Sequence, residues 1–393
     1  MPGHAAPLLR GEEPPFALRA HEALDAKRRI AAEVSSKPSD EATARGAPHR
    51  EPSKDLPDMT TTITQDAHAV LLPAVDGFTI PDSLASLLAS GTRSVIIGES
   101  RAEYVARAMT EERQTTETPQ QFTDFTTRLR AIAGASVLVA VDQEPWGTKR
   151  LHRLVPGLPD FGPDTDPADV ERSAHELGRA ALRLGVNTFL SPVCDRLTGD
   201  NPWLRGRTLD LPPARIGELA AAFVTGVQRA GVTAVTKHFP GFPEVTADPA
   251  LDVAHVPEGC WTESDLIPFA ACVRAGTRAV MMGPAPVAGL DGDEAALASP
   301  ATVALLRDLG FDGLIVSDDL DAPATLRGRT APRTAVAAIR AGVHLLLAPE
   351  DGHLGDVAAA LIETAEGDTA FAHTLHGAAE RVRALAGRPR SAR

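Results

Sequence analysis

Eight short apolar runs, each followed by a stretch long enough for a helix, are the feature that most limits how this chain can fold. The runs are Ala69–Val75, Ser94–Gly98, Ser136–Val141, Val186–Pro192, Thr233–Thr236, Ala279–Met282, Gly313–Val316 and His344–Leu347. Amphipathic segments lie between them, among them Asp166–Leu184, Ala214–Ala230, Thr262–Ala275, Ala301–Leu309 and Thr334–Ala341. Continuous apolar strands joined by helical crossovers require a parallel sheet covered on both faces. Eight such units predict an α/β chain folded as a (β/α)8 TIM-type barrel. A doubly wound open sheet is the alternative, but no GxGxxG or Walker loop follows any run.

The first part of the chain obeys a different rule. Residues 1–62 are rich in Pro, Ala, Glu, Lys and Arg, and Ser35–Asp58 is nearly devoid of large apolar side chains. Such a segment buries too little surface to offset its ordering entropy, so a disordered extension is predicted, with one possible helix at Ala17–Val34. The barrel domain is expected over residues 63–393. The net charge of −13 and the absence of a basic tract argue against nucleic-acid or anionic-membrane surfaces. Cys194, Cys260 and Cys272 form neither a zinc pattern nor a disulfide framework, and read as small core residues. No metal or other cofactor is called for. No apolar run reaches membrane-span length, and Met1–Arg29 lacks a signal-peptide core, so a cytoplasmic location is expected. Oligomeric state is not readable.

In a barrel of this kind, polar residues at the carboxyl ends of strands line the active-site mouth. The fifth run ends in Lys237-His238-Phe239-Pro240-Gly241, and the seventh in Ser317-Asp318-Asp319-Leu320. The third is followed by Asp142-Gln143-Glu144 and then Arg150. The fourth is followed by Pro192-Val193-Cys194-Asp195, with Arg205 and Arg207 in the next loop. Carboxylates, a lysine and arginines on one rim suit bidentate hydrogen bonding to vicinal hydroxyls, with arginine reaching an acyl or acidic substituent. Each residue also has a structural explanation. Asp142 and Asp195 could cap helices, Lys237 could pair with a carboxylate, and His238 could be a satisfied core histidine.

These segments resemble glycoside hydrolase family 3, specifically its single-domain bacterial β-N-acetylhexosaminidases. The family's KHFPG string stands at Lys237–Gly241, and its DQE string at Asp142–Glu144, with the following arginine at Arg150. Its PVxD turn stands at Pro192–Asp195, its loop arginine at Arg207 and its SDDL turn at Ser317–Leu320. The similarity runs in unbroken order over residues 66–385. The resemblance implies that Asp318 is the nucleophile of a retaining mechanism. It also implies that Asp142, Arg150, Asp195, Arg207, Lys237 and His238 bind a small carbohydrate substrate.

One loop departs from the family pattern. The family places its acid/base histidine two residues after an aspartate, on the loop following KHFPG. Here Asp248 keeps the aspartate of that catalytic dyad, but Ala250 stands in place of the histidine. Phe242 and Pro243 replace His-Gly, Gly147 replaces the first arginine of a GGR turn, and Pro284 replaces a frequent histidine. Glu244, or a displaced pair Asp252 and His255, are substitutes for the missing acid. Three function classes follow: a retaining glycosidase on a β-linked N-acetylhexosaminide or relative, a weakly catalytic or non-catalytic sugar-binding protein, and a lyase using Lys237 as a Schiff base.

Overall fold

Each short run is apolar on both faces, so its strand must be buried on both sides. In the computed structural model, which describes residues 59–290, 293–349 and 354–388, the strands are β1 (Leu71–Val75), β2 (Ser94–Ile97), β3 (Leu138–Val141), β4 (Thr188–Phe189), β5 (Thr233–Phe239), β6 (Ala279–Met282), β7 (Leu314–Val316) and β8 (Leu346–Pro349). Their order is β7-β6-β5-β4-β3-β2-β1-β8, and every pairing is parallel. The remaining seam is joined by a parallel bridge between Val316 and Leu345 and by donation from Ser317 N to Leu345 O at 2.8 Å. The predicted (β/α)8 barrel is the observed fold.

Successive side chains point to opposite faces of a strand. Leu72, Ile96, Ala140, Leu190, Val235, Met281, Val316 and Leu347 therefore fill the barrel interior. Their neighbours Leu71, Val95, Val139, Phe189, Ala234, Val280, Ile315 and Leu346 point outward and pack under the helices. With both faces covered, the strands read as unbroken apolar runs. Polar residues are left for the strand ends.

The eighth strand begins at Leu346 rather than at the expected His344. The His344 ring is used instead at the seam, where Nδ1 accepts from Ile315 N at 2.9 Å. The expected boundary between residues 62 and 63 falls inside a helix, Met59–Ala69, that precedes β1. The rest of the expected extension, with the helix anticipated at Ala17–Val34, lies outside the described residues. Among the described residues no helix is long and apolar enough to cross a membrane.

The helix Met59–Ala69 is tied to the last one, Thr369–Ala386, by charge. Asp66, with a side chain only 3% exposed, lies 2.7 Å from Arg383 and 2.8 Å from His376. Asp66→Ala removes the carboxylate that His376 and Arg383 share and leaves Arg383 with Glu380 alone. Because both are partly in water, the expected loss of unfolding free energy is about 1–2 kcal/mol by urea denaturation. A loss below about 0.5 kcal/mol would show that this pairing does not hold the two helices together.

Candidate active site

Four charged groups from three successive βα units meet at the carboxyl end of the barrel. Lys237, on β5, contacts Asp142 just beyond β3 and lies 2.9 Å from Glu144 Oε1. Arg207, from the loop after β4, grips Glu144 through both Nε and a terminal nitrogen, at 3.2 and 2.6 Å. Lys237, Glu144 and Arg207 are buried, whereas the Asp142 side chain keeps 16% of its surface exposed. Burial alone would favour neutral forms. It raises the Glu144 carboxyl, but Arg207 and Lys237 outweigh it and hold the group below the usual carboxylate range. Burial likewise lowers the Lys237 amine, and Asp142 and Glu144 more than reverse that. A lysine held protonated in this way is a poor Schiff-base nucleophile, which counts against the lyase class.

The short turn after β3 explains one departure from the family pattern. Glu144 bends back so that Oε2 accepts from Thr148 N at 2.9 Å. A Cβ at residue 147 would lie 2.0 Å from that oxygen and 3.3 Å from Arg207 Cα. Only glycine leaves room for the Glu144–Arg207 pair.

Asp195 is placed differently from what its strand-end position suggested. It is buried, and protein donors occupy both of its oxygens. Oδ2 accepts from His238 N at 3.0 Å and from His238 Nδ1 at 2.9 Å, while Oδ1 accepts from Phe242 N at 2.8 Å. A carboxylate only accepts, so Nδ1 carries the proton and Nε2 is turned elsewhere. Asp195 thus positions His238 and has protein donors on both oxygens. Trp203 packs against the same imidazole at a 45° tilt, with ring centroids 4.4 Å apart.

Nε2 of His238 faces Asp318, 3.9 Å from Oδ2. Asp318 follows β7 directly. Its N donates to Met282 O at 3.1 Å, and its Oδ1 accepts from Asp319 N at 2.8 Å. Oδ2 is enclosed and has no hydrogen-bond partner among the described residues. Burial raises this carboxyl, against the opposing pull of His238, the Asp319 amide, Lys237 and Arg207.

Two expected site residues are committed elsewhere. Arg150 is fully buried, makes a bidentate pair with Glu117 at 2.8 Å for both bonds, and donates Nε to Gly98 O at 2.7 Å. It therefore braces the end of β2 through Gly98, with Glu117 as its acidic partner instead of Asp142 or Glu144. Burial raises Glu117, but His152 and Arg150 draw its carboxyl down to about 2. Asp248 accepts from Tyr104 hydroxyl at 3.1 Å and from Arg107 at 2.8 Å, both near the helix Arg101–Ala106. These bonds tie two loops together through Asp248, beside Ala250 where the paired histidine was expected.

The loop after β5 is strapped across the mouth. Its Pro243 O accepts from Thr198 N at 3.1 Å, Pro249 O from Ala324 N at 3.3 Å, and Val256 N donates to Pro286 O at 2.9 Å. Phe242 is fully buried against Trp203, with ring centroids 5.5 Å apart, and fills the space a Cβ on Gly283 would need. Glu244 approaches Cys260, 3.6 Å from its sulfur, while Asp252 and His255 are exposed.

The sequence reading missed Glu99, two residues beyond the end of β2. Its Oε2 is enclosed without a hydrogen-bond partner among the described residues, and its electrostatic neighbours are Asp142, Lys237, Glu144 and Arg207. The signal was present: an apolar run ending in a carboxylate, as at β3 and β7.

A family model described as the Glycosyl hydrolase family 3 N terminal domain matches residues 89–385. A beta-hexosaminidase of Methylococcus capsulatus is 30% identical over 284 residues, covering 69% of this chain and 82% of that protein. One of Alkalilimnicola ehrlichii is 29% identical over 243 residues, covering 59% and 70%. The crystal structure of a beta-N-acetylhexosaminidase from Beutenbergia cavernae has the same fold, with a TM-score of 0.71 at 24% identity, covering 83% of this chain and 98% of that one.

The threefold acceptor role of Asp195 has a measurable consequence. Asp195→Ala strips acceptors from two buried amides and a ring nitrogen, each orphan costing about 1–3 kcal/mol. The expected outcome is a loss of at least about 2 kcal/mol in urea denaturation, together with weakened sugar binding. Unchanged stability with only binding lost would return Asp195 to the role of a direct ligand contact.

Proposed function

The chain belongs to glycosyl hydrolase family 3, and we propose that it releases a β-linked N-acetylhexosamine or closely related sugar from a small glycoside by a two-step retaining mechanism on Asp318. The observation that carries this reading is the Asp318 carboxylate itself. It follows β7, Oδ1 is fixed by the Asp319 amide, and Oδ2 has no hydrogen-bond partner among the described residues, with His238 Nε2 3.9 Å away. Oδ2 attacks the anomeric carbon as the bond to the leaving oxygen breaks. The resulting glycosyl ester is then cleaved by water, which returns the carboxylate and retains the configuration. Asp142, Lys237, Arg207 and His238 hold the sugar, and their fixed charges favour the oxocarbenium-like state without rearrangement during the reaction. The hexosaminidase relatives support the choice of an amino sugar.

The departing oxygen must leave as an anion or receive a proton. Ala250 cannot donate one, and Asp248 is occupied by Tyr104 and Arg107. We therefore assign to this chain a preference for leaving groups that are stable as anions. The same two observations favour, as a second reading, a sugar-binding barrel with little catalysis.

One sugar presented on two leaving groups separates these readings. General-acid assistance is worth about 10²–10⁴ in rate. A nitrophenyl β-glycoside is expected to be cleaved with kcat/KM higher than the matching disaccharide by about that factor, and azide is expected to accelerate release of the enzyme-bound sugar. Asp318→Asn is expected to abolish turnover of both while sugar binding persists. Equal rates on the two substrates would mean that another group supplies the proton. Sugar binding without turnover of either would select the binding-protein reading.

A further inference from the structure

Glu99 is held in an unusual way: its backbone is fixed on both sides while one carboxyl oxygen is given nothing. Gly98 N donates to Val75 O at 2.7 Å, and Gly98 O accepts from Arg150 Nε at 2.7 Å. On the other side, the backbone N and hydroxyl of Ser100 both donate to Glu103 Oε2 at 3.0 Å in a helix cap. Between these anchors Oε2 of Glu99 is enclosed and has no partner among the described residues. A buried polar atom without a partner is costly, so such an atom beside a candidate binding site points to a partner supplied from outside.

The surroundings say what that partner is. The charged groups acting on Glu99 are Asp142 and Glu144 from the β3 end, Lys237 from β5 and Arg207 from the β4 loop. Both cations are already engaged by Asp142 and Glu144. Burial and then Asp142 push the Glu99 carboxyl up to about 7, with Lys237 and Arg207 pulling the other way. A sugar hydroxyl has one hydrogen and two lone pairs. Between two ionised carboxylates it satisfies only one, and the carboxylates repel each other. Between one carboxylate and one neutral acid it satisfies both.

We propose that Glu99 is a further sugar contact, donating as the neutral acid to a ligand hydroxyl whose own hydrogen goes to Asp142. The proposal rests on the reading that this mouth binds a sugar, and it adds hydroxyl selection by a carboxyl pair to that reading. Arg150, through Gly98, holds the donor in place. The sign follows from the raised carboxyl. The donor is present below about pH 7 and is lost above it, so affinity falls as pH rises through that range.

The test is calorimetric binding of N-acetylglucosamine to the full chain at pH 6 and pH 8, with Glu99→Gln and Glu99→Ala alongside. The wild-type protein is expected to bind about tenfold more tightly at pH 6 than at pH 8, the ratio of protonated fractions either side of pH 7. Glu99→Gln, a permanently neutral donor, is expected to bind equally at both pH values. Glu99→Ala is expected to bind at least about tenfold more weakly than wild type at pH 6. Glu99→Gln retaining the wild-type pH dependence overturns the proposal. So does tighter binding of glucosamine than of N-acetylglucosamine, because a cation would demand the ionised carboxylate. Loss of turnover confined to poor leaving groups in Glu99→Gln, with binding unaffected at either pH, would make Glu99 the missing acid instead. If the wild-type chain binds none of these sugars, the sugar-site reading fails. Pairing that assay with carbon-13 NMR of labelled glutamate carboxyls tells the two failures apart. A resonance titrating near pH 7 and missing from Glu99→Gln still locates the proton, and its absence removes the premise of this proposal alone.

Discussion

Two buried cations, the buried carboxylate of Glu144 and the half-buried carboxylate of Asp142 hold the mouth of this barrel in shape. Lys237 and Arg207 have Asp142 and Glu144 as partners. No member is tolerable alone, since an unpaired charge in such a setting is strongly destabilising. Together they connect the turn after β3, the loop after β4 and the end of β5. The barrel supplies the necessary rigidity, because neighbouring strands in fixed parallel register present their ends at fixed relative heights. Gly147 follows from the same constraint, since any side chain there would strike Glu144. His238 and Asp318 complete the floor, one oriented by Asp195 and the other by the Asp319 amide.

Above this floor, the β5 loop is built to stay in place. Apolar burial of Phe242, the Asp248 latch to Tyr104 and Arg107, and backbone bonds to segments following β4, β6 and β7 all act on one short segment. A loop that delivers a proton donor must move or present a titratable group. This one presents Ala250 between a latched aspartate and the exposed Asp252 and His255. The chemistry that remains is concentrated at the strand ends, where one oxygen of Asp318 and one of Glu99 have no hydrogen-bond partner among the described residues.

The barrel was legible in the sequence because both faces of every strand must be apolar, which leaves eight unmistakable runs. The clamp was legible for a related reason: charge immediately after such a run is either at the mouth or paired behind it. Sequence position alone does not separate those two outcomes. Arg150 and Asp195 have the same grammar as Asp142 and Lys237, yet their partners are Glu117 and the His238–Phe242 turn. Glu117 belongs to a crossover helix region with no motif to mark it, so no local pattern announced that Arg150 was taken. The partners of Asp248 were hidden for the same reason, lying near a helix 141 residues or more away in sequence. Glu99 was readable and was passed over, because only one carboxylate follows β2 and no familiar string accompanies it.

The claim that everything else serves is that Asp318 forms a covalent bond to the sugar. Intact-mass analysis after treatment with a 2-deoxy-2-fluoro or 5-fluoro glycosyl fluoride, followed by peptide mapping, tests it directly. The account predicts a mass increase of one sugar residue, carried by the peptide containing Asp318 and absent from Asp318→Asn. An adduct on Asp319, or steady turnover of an activated glycoside by Asp318→Asn, would contradict it.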